Sequence, residues 1–284
     1  MHVLLTILCV CAVLALSTGP ARAAGSVGEP RSDTYRRGQA LLDRLNPGAF
    51  EKVRASLEDV APDMVRYVVE FGYGELYSRP GLTMRQRQTA TVAALAALGN
   101  AAPQLRFHIG AGLAAGLSPE EIVEIIYVTT VFAGFPAGLN ALTEARAVFA
   151  ERGIAPKAAP ELPGASRERG LATLAASSKG TGQAVLDSLK DIAPDMGRFI
   201  LDFSYGEIIC RPGLEPGLKE IAMIAAATAR GTMRPQLMVH VRAGLNVGLG
   251  REEIVEVIVQ MAAYAGFPAA LNGLDAAREV FRAE

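Results

Sequence analysis

Ala133-Gly134-Phe135-Pro136-Ala137 is repeated, 132 residues further on, as Ala265-Gly266-Phe267-Pro268-Ala269. The same offset carries Ala61-Pro62-Asp63-Met64 onto Ala193-Pro194-Asp195-Met196, and Arg79-Pro80-Gly81-Leu82 onto Arg211-Pro212-Gly213-Leu214. It also carries Pro103-Gln104-Leu105 onto Pro235-Gln236-Leu237, and Gly38 onto Gly170. About half the positions between Ala61 and Phe149 are identical in the second copy, with no insertion to break the register. That period is longer than those of solenoid repeats, so each copy reads as a small domain. The domains are expected at 31–153 and 167–284, joined by an Ala- and Pro-rich linker at 154–166.

Within each copy the punctuation is helical. Pro62 suits the first turn of a helix running toward Ser78. Thr83 with Gln86 forms a capping-box signature, and Gly99 closes that helix. Pro103 opens the next helix and Gly116 closes it; Ser118-Pro119-Glu120-Glu121 combines a cap, a proline and a box glutamate. Gly134 and Pro136 break the following segment, and the last helix runs to about Glu151. No run alternates as a strand does, so the expectation is an all-α fold of roughly six helices per copy. Ile125 to Leu142 carries no charge, but Gly134 and Pro136 divide it, so two packed helices are expected rather than a membrane span.

Residues Val3 to Leu16 are almost wholly apolar, and Ala21-Arg22-Ala23 follows as a small-residue cleavage site. This predicts a signal peptide over residues 1–23 and a periplasmic or secreted protein. Cys9 and Cys11 would leave with it, so the mature chain would keep Cys210 alone and form no internal disulfide. Half of the 284 residues are hydrophobic and the formal net charge is -1. Without a basic stripe interleaved with aromatics, nucleic-acid binding has no electrostatic support.

His108 and His240 are repeat equivalents, each five residues after a helix-opening proline. Leu105, His108 and Gly112 share one helical face, as do Leu237, His240 and Gly244, which turns each imidazole inward. Two readings stand: a core histidine with a satisfied hydrogen bond, or a general acid–base. Glu220 precedes His240 by one helix, whereas the first copy has Gln88 there, which cannot exchange a proton. Arg79 and Arg211, each before a Pro-Gly turn, could clamp a carboxylate or stabilise a loop. Tyr73 and Tyr205 lie in a repeated Tyr-Gly-Glu. One histidine per copy and no cysteine cluster fall short of a metal site, and no serine stands in a nucleophile elbow.

Arg211-Pro212-Gly213-Leu214, Glu220, the run Pro235 to Asn246 and the run Ala263 to Asn272 together resemble the carboxymuconolactone decarboxylase family. Arg106-Phe107-His108 and Phe132 to Pro136 resemble it equally in the first copy. The resemblance implies two tandem alkylhydroperoxidase D-like helical domains, and assembly into a homo-oligomer, a trimer giving six domains. The thiol-peroxidase branch of that fold uses a Cys-x-x-Cys, whereas here those positions are Ala101 and Gln104, and Met233 and Gln236. The decarboxylase branch implies a cofactor-independent reaction on a small lactone or carboxylic acid. His240 and Glu220 would then be catalytic and His108 would serve a second or degenerate site. Arg211, Arg79, Tyr205 and Tyr73 would contact substrate. The competing reading is a non-catalytic oligomeric small-molecule-binding protein, motivated by Gln88 and the exported location.

Overall fold

Thr83 and Ser118 each close the capping box their sequences announce. The Gln86 amide N–H donates to Thr83 Oγ1 at 3.3 Å and the Thr83 N–H to Gln86 Oε1 at 2.8 Å. Glu121 and Ser118 exchange the equivalent pair at 3.1 and 2.8 Å. Gly99 and Gly116 end their helices with φ of 70° and 91°, a backbone that glycine adopts without a Cβ clash.

The computed structural model describes residues 31–157, 159–179 and 181–284. The expected signal peptide at 1–23 lies outside the described residues, among which there is no strand. The first copy contributes α1 (Asp33–Leu45), α2 (Ala49–Leu57), α3 (Pro62–Tyr67), α4 (Met84–Leu98), α5 (Ala102–Ala114), α6 (Pro119–Ala133) and α7 (Phe135–Glu151). The second contributes α8 (Ser166–Ser178), α9 (Thr181–Asp187), α10 (Pro194–Phe199), α11 (Pro216–Arg230), α12 (Arg234–Asn246), α13 (Arg251–Gln260), α14 (Ala262–Ala265) and α15 (Phe267–Ala283). No described helix is long and apolar enough to cross a membrane. The uncharged run from Ile125 is cut at Gly134, where φ is 84°.

The helix begun at Pro62 does not continue as an α-helix to Ser78. It widens into a π-helix over Val68–Leu76, and α10 does the same over Ile200–Ile209. Glycines explain where this widened segment packs. A Cβ on Gly38 of α1 would lie 2.0 Å from the Val69 carbonyl oxygen, and one on Gly74 would lie 2.3 Å from that of Thr34. Gly170 and Gly206 make the same approaches to Leu201 and Ser166. The repeated Tyr-Gly-Glu thus carries a helix-packing glycine.

The two copies pack on one another within one compact unit, Asp33–Glu284. Its middle is α4 packed on α11, with buried alanines at 90, 93, 94, 222, 225 and 226 permitting close approach. Ile122, Ile125 and Ile126 of α6 and Ile254, Val257 and Ile258 of α13 close over this pair. Each histidine-bearing helix packs on the central helix of its own copy, α5 on α4 and α12 on α11.

Candidate active site

Position 20 residues before each histidine decides its partner. His240 Nδ1 lies 2.8 Å from Glu220 Oε2, and both side chains are buried. His108 Nδ1 lies 2.9 Å from Gln88 Oε1, equally buried. A carboxylate only accepts hydrogen bonds, so paired with Glu220 the His240 ring carries a proton on Nδ1, and Nε2 is the nitrogen left to exchange one. In the first copy burial alone drives the imidazole: it pulls the His108 pKa down from 6.5 to about 3, so the ring is neutral.

Each site is completed by a ring from the other copy. Phe132 of α6 meets His240 edge-on, with centroids 5.1 Å apart. Its equivalent, Tyr264 of α14, meets His108 edge-on at 5.4 Å and places its hydroxyl 3.1 Å from Nε2. From there a buried polar chain runs inward. Tyr264 Oη lies 2.6 Å from Tyr77 Oη, which bonds in turn to Thr91 Oγ1. Gln260 Nε2 donates to Thr91 at 2.9 Å, and Arg87 Nη1 donates to Gln260 Oε1 at 3.0 Å. In the second copy Tyr77, Thr91 and Gln260 are replaced by Ile209, Met223 and Val128, so no such chain forms there.

The tyrosines singled out from sequence flank these sites. The Tyr73 ring lies 5.3 Å from Tyr77, and burial, then the neighbouring Tyr77, raises its pKa above the ordinary phenol value. Burial, reinforced by the charge of Glu220, pushes Tyr205 up to about 12, so its hydroxyl stays protonated. Burial also raises Tyr77 to about 12.

The two arginines are engaged across the copies. Arg211 Nε donates to both oxygens of Glu124, at 2.9 and 2.8 Å, and its Nη2 to Oε1 at 2.8 Å. Arg79 Nε grips Glu256 likewise at 2.8 and 2.9 Å. Buried Arg87 adds a third cationic contact, its Nη2 lying 3.2 Å from Glu256. Burial opposes ionisation of Glu256, but the hydrogen bonds and charges of Arg79 and Arg87 outweigh it and hold the carboxyl below its usual range. Of the two roles open to these arginines, the geometry displays the loop-stabilising one. Lys219, next to Glu220, strengthens that loop by donating to the Ile209 carbonyl at 2.7 Å and to that of Arg211.

Arg211 also borders an open cavity of about 800 Å3, lined by α6, α7 and the linker, with Glu124, Tyr127, Arg146 and Phe149 in its walls. Tyr127 precedes Phe132 by five residues on α6, about 7.5 Å along the axis, and neither His240 nor Glu220 lines this cavity. Among the described residues no cluster of His, Cys, Asp and Glu is arranged to hold a metal ion. Cys210 donates its thiol to the Gly206 carbonyl at 3.1 Å.

Tyr77, Tyr264, Thr91 and Gln260 were not among the residues singled out from sequence. A signal for them exists: all four are polar or aromatic-polar where the other copy is apolar. The retained carboxylates Glu124 and Glu256, standing before otherwise uncharged runs, are the corresponding signal for the arginine partners.

The sequence pattern of the carboxymuconolactone decarboxylase family matches residues 62–147 and again 194–279. A 4-carboxymuconolactone decarboxylase of Acinetobacter baylyi is 36% identical over 129 residues, which is 44% of this chain and 96% of the relative. An uncharacterized 15.0 kDa protein of Paracoccus denitrificans is 33% identical over 115 residues, 40% of this chain and 86% of its own. Among solved structures, a Burkholderia xenovorans protein provisionally assigned as a gamma-carboxymuconolactone decarboxylase subunit superposes with a TM-score of 0.56. It is 25% identical and covers 90% of this chain and 100% of its own.

Proposed function

Because the chain belongs to the carboxymuconolactone decarboxylase family, we propose that it is a cofactor-independent carboxy-lyase acting on a small lactone or carboxylic acid, with His240 as its acid–base group. The observation that carries this reading is the buried contact of 2.8 Å between His240 Nδ1 and Glu220. The similarity to a curated decarboxylase over nearly the whole length of that relative supports the reaction class.

In such a reaction the bond to the carboxyl carbon breaks, carbon dioxide leaves, and the electron pair moves onto a conjugated carbonyl as an enolate. A protonated His240 then returns its Nε2 proton to carbon, and the neutral ring regains a proton from solvent. Glu220 does two things here: it holds Nδ1–H so that Nε2 is directed toward the substrate side, and it stabilises the imidazolium that donates the proton. Tyr205, protonated beside Glu220, supplies a hydroxyl donor to the same site. Arg211 contributes to substrate binding as the positive wall of the neighbouring cavity, through the Nη1 side that takes no part in its pair with Glu124.

The chain is further proposed to work as a trimer in the periplasm or outside the cell. Apolar side chains exposed in register support the assembly: Phe135 (61%) matches Phe267 (60%), and Leu139 (62%) matches Leu271 (63%). Surfaces of this kind mark contact sites.

The test is turnover of a panel of lactone acids, beginning with 4-carboxymuconolactone, followed by release of carbon dioxide. His240→Ala and Glu220→Gln should each lower kcat/KM, the former by about 100-fold or more. Full activity in the double variant His240→Ala, His108→Ala would overturn the proposal.

A further inference from the structure

The linker between the copies stands off the helices it crosses. Its described residues from Ile154 to Leu162 form no helix, and the open cavity of about 800 Å3 lies between them and α6 and α7. Two anchors hold this strap. Near its start the Lys157 N–H donates to Glu120 Oε1 at 2.7 Å. At its end Arg169, itself bonded to the Gly206 carbonyl at 2.8 Å, donates to the Pro163 carbonyl at 3.1 Å. Pro156, Pro160 and Pro163 fix φ and lack an N–H, so the segment between the anchors is stiff and extended. A flexible segment would collapse onto apolar walls, and this one keeps them apart.

Those walls are made by Val123, Leu142, Ala145, Phe149, Ile154 and Leu162. The charged lining is Arg146, Lys157 and Arg211 against Glu120 and Glu124, an excess of one positive charge. Glu124 is occupied by Arg211. Glu120 takes the Lys157 amide and feels its ammonium charge. The cation left over is Arg146, which pairs with no carboxylate among the described residues.

The second copy shows that this is a departure. Its residue at the Arg146 position is Arg278, which donates to Asp275 at 3.3 Å. The first copy has Thr143 where Asp275 stands, so Arg146 is released. Tyr127 likewise stands where the second copy has Val259, and the Arg211 guanidinium lies 5.0 Å from its ring centroid. The strap, the free guanidinium and the tyrosine thus all fall on one cavity of one copy.

Size and polarity select the occupant. The volume is that of a ligand site, several times what a small lactone acid would fill. Apolar walls call for an apolar body. A single excess cation at an exposed position calls for one anionic head that stays in contact with water, so little desolvation opposes binding.

We propose that this cavity is a binding site for a medium-chain carboxylate, an aliphatic chain of about ten carbons lying under the strap with its head on Arg146. The site stands apart from the proposed lyase centre, since neither His240 nor Glu220 lines it. Arg211 belongs to both readings, so the test leaves it intact.

Calorimetric titration of the full chain with decanoate, below its micelle concentration, reads binding without turnover. Wild-type protein should bind decanoate at least about tenfold more tightly than hexanoate, which buries less chain. It should disfavour decyltrimethylammonium, which has the same chain and the opposite charge, by a similar factor. Arg146→Gln should weaken decanoate binding by about tenfold, as expected for a hydrogen bond between charged groups. Arg278→Gln, the same change at the paired equivalent, should leave it unchanged. Ala150→Trp fills the cavity from an exposed wall position and should weaken binding by about tenfold or more without disturbing the core. The proposal is overturned if wild-type protein does not bind decanoate, if it prefers the cationic amphiphile, or if folded Arg146→Gln or Ala150→Trp binds as tightly as wild type. Equal weakening by Arg278→Gln would also overturn it, because the attraction would then be that of surface charge in general.

Discussion

Tyr264 and His108 come from different copies of the repeat and meet at 3.1 Å through Oη and Nε2, whereas their equivalents Phe132 and His240 touch only by their rings. One duplication has therefore yielded a polar site and an apolar-walled one. The chemical difference has consequences for stability.

His108 should make the fold acid-sensitive in a defined window. Burial holds its folded pKa at about 3, against 6.5 for an ordinary imidazole. Between these values the unfolded chain binds one more proton than the folded one. Stability therefore rises with pH across that window and is lost as pH falls through 6.5, at about 1.4 kcal/mol per pH unit for this one group. Urea unfolding of wild type and His108→Gln at pH 6.5 and 4.5 isolates it. The wild type should lose roughly 2 kcal/mol more than the variant over that interval, since the unfolded imidazole is only half protonated at its upper end. Parallel losses would show that His108 titrates normally.

Glu256 and Glu124 occupy equivalent positions but should differ in their cost of removal. Glu256 serves Arg79 and the buried Arg87, whose side chain is 1% exposed. Glu124 serves Arg211, which is 17% exposed, because the residue equivalent to Arg87 is Lys219 and it turns to backbone carbonyls instead. Glu256→Gln leaves a guanidinium charge buried and should destabilise by about 3–5 kcal/mol. Glu124→Gln leaves a charge that water reaches and should cost less than half as much. Denaturation of both variants checks this, and equal losses would refute the asymmetry.

The helical punctuation, the repeat and the Glu220–His240 pair could be read from sequence because each depends on local chemistry or a fixed offset. Thr83 and Ser118 carry their capping partners three residues away, and Glu220 follows from comparison with Gln88. The Tyr264–Tyr77–Thr91 chain could not be read in that way. Tyr264 is 187 residues from Tyr77, and nothing local says that α14 of one copy covers α5 of the other. The π-helices were hidden for a related reason. Composition around Gly72 and Gly74 permits an α-helix, and what Gly74 accommodates is the backbone of α1, a tertiary partner. The arginines were half legible: their geometry suits a carboxylate, and that carboxylate proved to be a side chain of the facing copy.

Gly38 and Gly170 give the sharpest test of that α1 packing. A Cβ would stand 2.0 Å from the Val69 oxygen in one copy and 2.2 Å from the Leu201 oxygen in the other. These are backbone atoms and cannot rotate away. Gly38→Ala and Gly170→Ala should each cost about 2–3 kcal/mol or more. Gly72→Ala meets nothing within 4 Å, so it should change stability by less than about 1 kcal/mol. Thermal melts rank the three, and a Gly72→Ala loss matching the others would mean that helix geometry rather than packing is decisive.

The exposed apolar residues lead to a prediction about assembly. Met64, Tyr67 and Phe71 of the first copy recur as Met196, Phe199 and Phe203 of the second, all at least 40% exposed. Each row is extended by the last helix of the opposite copy, Phe71 lying 6.0 Å from Phe267 and Phe203 lying 5.9 Å from Phe135. One chain thus carries two similar apolar faces, which gives it two points of attachment and lets identical chains close into a ring. Light scattering behind size exclusion should return three times the mass of the mature chain for the wild type. Phe71→Glu should disrupt one face and leave the other able to pair only with its like, reducing the mass to that of a dimer at most. Phe71→Glu with Phe203→Glu should give monomers that keep their helical circular dichroism, because both rings lie outside the buried core. A wild type that elutes as a monomer, or a double variant that still forms trimers, would remove these faces from the assembly.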